Sequence, residues 1–242
     1  MPNLVVGVPC FNEAPYIAEC LQSIAKNELS DVEVLISDNN SSDGTDAVIE
    51  SFLEKLPNSK VNHFRLHKWS ETVNASENWK QPFFASDSKF FMWVGGHDVL
   101  TENFFSQCLK MHEANPEASM VSGRPLAINS SSDQLKDLNI AYNFSDSNPL
   151  TRYLKSINEL GDCTIIHSVF KRSSIDEFTF PLLGSADHIL ISNMLWHGSL
   201  VYCQQANYLR RYFDGENRRV KAAKGYYLTE QNKVLFFAEY MK

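Results

Sequence analysis

Val32-Glu33-Val34-Leu35-Ile36-Ser37-Asp38-Asn39-Asn40-Ser41-Ser42-Asp43-Gly44-Thr45 is the stretch that decides the fold. Val32 to Ser37 is a short apolar run that reads as a strand. It breaks on a polar turn, and Asp46 to Leu56 then places Val48, Phe52 and Leu56 on one helical face. The same succession stands just upstream. Leu4 to Val8 reads as a buried strand that runs into Pro9-Cys10-Phe11-Asn12-Glu13. Pro15 then sits where a first helical turn tolerates proline, and Ile17, Cys20, Leu21 and Ile24 follow at helical spacing. Downstream, Val61 to Leu66 reads as a third strand and Asn74 to Ser86 as a helix interrupted by Pro82. Phe90 to Val94 reads as a fourth strand, and Glu102 to Glu113 as a helix stopped before Pro116. Strands alternating with helices through short connections predict an α/β fold: a mostly parallel central sheet with helices on both faces. Ligands of such sheets bind beyond the carboxyl ends of the strands.

Past residue 118 the pattern changes. Ala118 to Ile128, Thr164 to Phe170 and Leu200 to Tyr212 read as strands, and Leu150 to Leu160 and Ser185 to Trp196 as helices. Asn129 to Asp133 reads as a loop or flap. No linker divides the chain, so a single domain over residues 1–242 is expected.

Length and composition agree. The chain has 242 residues, 43% of them hydrophobic and 21% charged, which suits a soluble globular domain and excludes collagen, coiled coil and wholesale disorder. A formal net charge of −7 lacks the basic footprint of a nucleic-acid partner. No run approaches the ~18 apolar residues of a membrane span. The N-terminus has neither the basic region nor the apolar length of a signal peptide. Cys10, Cys20, Cys108, Cys163 and Cys203 lack CxxC spacing and read as reduced, buried thiols of a cytoplasmic protein.

The strand ends carry the chemistry. Pro9-Cys10-Phe11-Asn12-Glu13, then Ser37 to Thr45, then Gly95-Gly96-His97-Asp98 each place carboxylates and amides at a carboxyl strand end. In this order they resemble a family 2 glycosyltransferase with the GT-A fold. The resemblance resumes at Ala186-Asp187 and at Tyr208 to Phe213. It implies a nucleotide-sugar-binding half over residues 1–115 and an acceptor-binding, catalytic-base half over residues 116–242. Carried over by position, it puts Pro9, Asn12, Glu13 and Asn40 at the nucleoside pocket. Asp38 would accept from the base edge, the usual role being recognition of uracil N–H. Asn74 and Asn78 would stand near the diphosphate, with the nearby Lys80 more at home as a solvated helix residue. Trp69 is a candidate for stacking on a sugar or base.

The resemblance also implies a divalent cation that neutralises the diphosphate leaving group. The family's Asp-x-Asp element stands here as Gly96-His97-Asp98, so Asp98 is the firm ligand and His97 the second candidate. An imidazole suits Mn²⁺ better than Mg²⁺, which prefers oxygen. Inverting transfer needs a base, and Asp187 in Gly184-Ser185-Ala186-Asp187 is the candidate. Arg210 and Arg211 stand where relatives carry a basic motif, with Phe213 at the histidine position. The cluster Arg218-Arg219-Val220-Lys221 reads as a solvated face. The implied partners are a nucleotide-diphosphate sugar, UDP-linked by preference, and a carbohydrate or lipid-linked acceptor, with peripheral membrane contact by analogy. Two other readings stay open. One is an inactive relative that binds nucleotide sugar, motivated by the Gly96-His97-Asp98 and Ala186-Asp187 departures. A nucleotidyltransferase ranks lower, because no Gly-rich loop follows the first strand.

Overall fold

A computed structural model describes residues 1–138, 140–175 and 186–213. The cluster at residues 218–221 and the Gly184-Ser185 pair lie outside them. The elements run β1 (Leu4–Cys10), α1 (Ile17–Ala25), β2 (Val32–Asp38), α2 (Thr45–Lys55), α3 (Asn58–Val61), β3 (Phe64–Lys68), α4 (Ala75–Phe84) and β4 (Phe90–Trp93). They continue through β5 (Val99–Leu100), α5 (Phe104–Ala114), β6 (Ala118–Ile128), β7 (Gln134–Asp137), α6 (Pro149–Glu159), β8 (Val169–Lys171), α7 (Ala186–His197) and β9 (Ser199–Arg211).

One sheet holds all of these strands in the order β3-β2-β1-β4-β8-β6-β9-β5, with β7 on β6. β3, β2, β1 and β4 are mutually parallel, as the β-α alternation predicts. β8 runs against both β4 and β6, and β6 and β9 are parallel again. β5, β7 and β8 are therefore the three strands that oppose the other six. The sheet is α/β and mixed, with its mostly parallel character set by the first half.

Apolar alternation explains why both faces are covered. Leu4, Val6, Val8 and Cys10 of β1 point to one face, where α1 contributes Ile17, Leu21 and Ile24 and α5 contributes Phe104 and Phe105. Val5 points to the other face, joined by Phe91 and Trp93 of β4, Phe83 of α4, and Leu190, Ile191, Met194 and Leu195 of α7. A strand buried on both sides needs apolar residues at both parities, which is why β1 reads as a continuous run.

Four expectations change. The helix expected to be interrupted at Pro82 runs through it, from Ala75 to Phe84. The third strand begins at Phe64, because Asn58–Val61 forms a short helical turn after Pro57. Thr164–His167 is a 3₁₀ turn, and only Val169–Lys171 is strand. The Asn129 to Asp133 loop closes a hairpin between β6 and β7, the latter a strand too polar for its pattern to announce. Among the described residues no helix is long and apolar enough to cross a membrane.

Candidate active site

The carboxyl ends of β1, β2 and β4 open side by side, since β1 pairs in parallel with both others. Two loops meet there and zip together. Asn12, in the left-handed region at φ 56°, accepts the Ser42 N–H at 2.9 Å, while its own N–H donates to Ser41 Oγ at 2.9 Å. Glu13 N–H donates to Thr45 Oγ1 at 2.8 Å, and Ala14 N–H to Asp43 at 3.1 Å. Burial pushes the Asp43 carboxyl up, but donors from Thr45 and Ala14 outweigh it and hold the group below its ordinary range. Asp38 is 2% exposed and accepts from the Ser41 hydroxyl and, at 3.3 Å, from the Ser41 N–H. It caps this turn at the end of β2. Pro9 is buried opposite Ser37, and Asn40 is exposed at φ 55°.

Asn78 is 4% exposed and ties three elements. Its Nδ2 donates to Cys10 O at 3.2 Å, and its Oδ1 accepts from Ser37 Oγ at 2.7 Å and Trp69 Nε1 at 3.1 Å. Asn74 caps α4, accepting from Glu77 N–H at 2.9 Å, and Lys80 pairs with Glu77 on the same helix. Asn78, expected near the diphosphate, is thus spent on holding strand ends together. Asn39, part of the strand-end motif but given no role by it, grips the backbone of Val73 at both N–H and C=O, at 2.8 and 2.9 Å, and so fixes the loop entering α4.

Asp98 is the centre. It is 2% exposed, and two donors from β9 clamp it: Tyr208 hydroxyl to Oδ2 at 2.6 Å and Arg211 N–H to Oδ1 at 2.8 Å. Burial first, then the Asp98 charge, pushes the Tyr208 phenol well up, so it stays a donor. Gly95 permits this approach, because a Cβ there would lie 2.7 Å from Asp98 Oδ2. Gly96 is nearly as crowded, since a Cβ there would lie 3.0 Å from Cys10 Cβ, so its part is space. His97 Nδ1 lies 3.0 Å from Glu13 Oε1. A carboxylate only accepts, so Nδ1 carries the proton and Nε2 is turned to Asp98 Oδ1, 3.8 Å away. Glu13 therefore stands behind His97 and is 6% exposed.

Arg211 departs from expectation. Its side chain is fully buried, and its guanidinium donates to His97 O at 2.8 Å, Asn129 O at 2.8 Å, Ser132 Oγ at 3.0 Å and Glu19 at 2.6 Å. These contacts anchor the β6–β7 turn to the His97–Asp98 turn and commit the cation to the fold. Arg210 is different. Its side chain is 35% exposed and is held at Nη1 by Asp162 and the Thr164 hydroxyl. Burial lowers its pKa, but Asp162, with Asp98 and two tyrosines, raises it further, so it remains a firm cation.

Asp187 begins α7 and accepts the His188 N–H at 2.9 Å. Beside it lies the Cys163 thiol, pushed up to about 12 by burial and then by Asp187. Cys163 is the half-buried exception among thiols otherwise buried as expected. His167 stacks on Tyr208, centroids 4.7 Å apart, and burial holds it neutral at about 4. Phe213 lies 5.3 Å from the His97 ring. Tyr208 thus links Asp98 to His167, while Asp162 holds Arg210 of the same strand. No spacing rule picks out Asp162, because its partner is 48 residues away.

Among the described residues no group of three or more His, Cys, Asp or Glu surrounds one point. Asp98 and His97 offer one oxygen and one nitrogen close enough for a single cation to bridge, and a diphosphate would supply further oxygens. The donor set fits a divalent ion that arrives with its nucleotide.

The profile described as Glycosyl transferase family 2 matches residues 5–179. A Campylobacter jejuni relative, GalNAc(5)-diNAcBac-PP-undecaprenol beta-1,3-glucosyltransferase, is 28% identical over 126 residues, 52% of this chain and 39% of its own. The solved structure of S. aureus TarS 1-349 in complex with UDP-GlcNAc superposes with a TM-score of 0.67 at 13% identity, covering 89% of this chain and 60% of that one. A mannosyltransferase from Pyrobaculum calidifontis in complex with GDP-Man and Mn²⁺ gives 0.66 at 16% identity, covering 99% and 64%. The chain spans about half or less of the length of the curated relatives it matches. These structures share the GT-A arrangement of sheet and helices described above.

Proposed function

This chain belongs to glycosyl transferase family 2, and on that premise we propose that it moves a sugar from a UDP-linked donor to a hydroxyl of a carbohydrate or lipid-linked acceptor, with inversion, in surface polysaccharide or glycolipid synthesis. The observation that carries the reading is Asp98, clamped in the turn after β4 by Tyr208 and Arg211 of β9, the strand that also carries Arg210, with Asp187 in the first turn of α7. The relative acting on an undecaprenol-linked substrate and the neighbour holding UDP-GlcNAc support the acceptor and donor classes.

Residues 1–115 hold the donor. Asp38 sits at the end of β2, where the base edge would lie; Ser41 already satisfies part of its acceptor capacity, and its remaining lone pairs would favour a base that donates to them. Asn40, Asn12 and Pro9 border that pocket. Arg210 faces the diphosphate with the nitrogens that Asp162 does not hold. Asp98 and His97 would hold the cation, Mn²⁺ in preference to Mg²⁺. When bound, it neutralises charge building on the leaving diphosphate.

Residues 116–242 supply the acceptor side. Asp187 accepts the proton of the acceptor hydroxyl as that oxygen attacks the anomeric carbon. The new C–O bond forms on the face opposite the phosphate, the bond to the phosphate oxygen breaks, and its electron pair leaves with the diphosphate. Contact with the cytoplasmic face of a membrane follows if the acceptor is lipid-linked. The test is a thermal-shift panel of UDP, GDP, CDP and dTDP, each with Mn²⁺, Mg²⁺ or EDTA. Ligand binding raises apparent stability by mass action. The expected outcome is the largest shift with UDP and Mn²⁺. No shift with any nucleotide would overturn the reading.

A further inference from the structure

The 3₁₀ turn Thr164–His167 is pinned to β9 at both of its ends. Thr164 holds Arg210 through its hydroxyl, and the His167 ring lies flat on Tyr208, with centroids 4.7 Å and planes 8° apart. Between them Ile165 and Ile166 are buried in the core. Tyr208 and Arg210 stand two residues apart on β9 and so share a face. His167 is also fixed from the sheet, because its Nδ1 lies 3.0 Å from the carbonyl of Trp93, the last residue of β4. Two contacts therefore place this imidazole at the carboxyl end of β4, one side chain removed from Asp98. The Tyr208 hydroxyl donates to Asp98 at 2.6 Å, and the Tyr208 ring carries His167.

Those contacts set the tautomer. A carbonyl only accepts, so Nδ1 carries the proton and Nε2 holds a lone pair. Burial holds the ring's pKa down at about 4, so it is neutral around pH 7. Among the described residues no donor meets Nε2. Tyr208 covers one ring face and Trp79 stands 6.1 Å away, yet the residue is only partly buried, so the open edge is the one opposite Nδ1.

An open lone pair at this point selects among ligand groups. An ionised diphosphate offers only acceptor oxygens and cannot bond to it, whereas a carbohydrate hydroxyl donates. A base of such low pKa removes a proton poorly near neutrality, so the imidazole holds a hydroxyl rather than deprotonating it. In the function proposed above, cation and diphosphate gather at Asp98, and the sugar continues from the diphosphate at its anomeric carbon.

We propose that His167 is a donor-sugar contact: its Nε2 accepts a hydrogen bond from a hydroxyl of the sugar being transferred. The proposal rests on the nucleotide-sugar reading and adds to it a residue that senses the sugar rather than the nucleotide.

The experiment is calorimetry of UDP, UDP-glucose, UDP-galactose, UDP-GlcNAc and UDP-GalNAc with Mn²⁺, on wild type, His167→Asn and His167→Gln. Asparagine can place its amide N–H where Nδ1 stands and keep the Trp93 bond, but it has nothing at Nε2. Glutamine reaches the Nε2 position with an amide oxygen. UDP affinity should stay within about twofold across the three proteins, less than the worth of one hydrogen bond. The UDP-sugar that wild type binds best should bind about three- to tenfold more weakly to His167→Asn, the worth of one neutral hydrogen bond, and His167→Gln should recover much of that loss. An equal loss for UDP and UDP-sugar would overturn the proposal, because His167 would then act only through Tyr208 and Asp98. So would wild-type affinity for every UDP-sugar in His167→Asn. If His167→Asn does not fold, ¹⁵N NMR of the wild-type chain labelled at histidine decides, with His167 assigned through its ring contacts to Tyr208. The Nε2 signal should move when a UDP-sugar binds and hold still when UDP binds, and an equal movement with UDP would overturn the contact. Wild type that binds neither UDP nor any UDP-sugar would overturn the proposed function and this contact with it, whereas every other adverse result strikes the contact alone.

Discussion

Replacing Tyr208 by phenylalanine removes one oxygen from the centre of the site and should cost more than its size suggests. The hydroxyl donates to Asp98 Oδ2 at 2.6 Å and accepts the Gly95 N–H at 3.3 Å, and the residue is 2% exposed. A hydrogen bond to a charged group contributes about 1.5–3 kcal/mol. The Gly95 N–H, left buried without its acceptor, adds about 1 kcal/mol. The ring stacking on His167 survives in phenylalanine and so adds no further loss. The expected destabilisation is about 3 kcal/mol, a fall in Tm of roughly 6–12 °C for a chain of this size. Urea unfolding followed by circular dichroism measures the first figure and a thermal melt the second. A double-mutant cycle with Asp98→Asn should show a coupling of at least about 1 kcal/mol, since the two partners are in contact. Tyr208→Phe within about 0.5 kcal/mol of wild type, the range of a neutral surface change, would refute the clamp. So would strict additivity in the cycle.

Asp38→Asn should reduce the preference for UDP over CDP and GDP by about tenfold, roughly one charged hydrogen bond, in calorimetry of the diphosphates. Asp187→Asn should leave UDP affinity almost unchanged while transfer falls by ~10²-fold or more, read as initial rate. Activity should be higher with Mn²⁺ than with Mg²⁺, and His97→Asp should narrow that gap by restoring an oxygen ligand; full activity in EDTA would remove the cation from the reaction. His112 is 3% exposed, and burial holds its folded pKa at about 4 against 6.5. Its folded pKa lies below its unfolded one, so the unfolded chain binds more protons in that window. Stability should rise with pH between those values, and His112→Gln should remove about 1.4 kcal/mol per pH unit of the slope in denaturant titrations.

Much of this was legible from residue order. Apolar runs ending on Asn12-Glu13, Asp38 and Asp98 mark strands and their carboxyl ends, because a strand buried on both faces must be apolar throughout and must stop where the chain turns polar. The 118–128 strand was read to the residue for the same reason. The 164–170 segment was misread because a 3₁₀ turn and a short strand carry the same apolar composition. β7 was missed because an exposed hairpin arm has no apolar face to show.

The roles of charged residues divided along another line. Local sequence determined which groups lie at the strand ends, since strand and turn patterns depend on neighbours a few residues apart. It did not determine what those groups touch. Arg210 and Arg211 are adjacent in sequence, yet alternation along β9 sends one to Asp162 and the other into a buried network with Glu19, His97, Asn129 and Ser132. Glu13 meets His97, and Asp98 acquires its clamp, through partners 84 and 110 residues away. Contacts at such separations exist only once the sheet has closed, so tertiary structure alone decided which carboxylates are held and which cation is committed to the buried network.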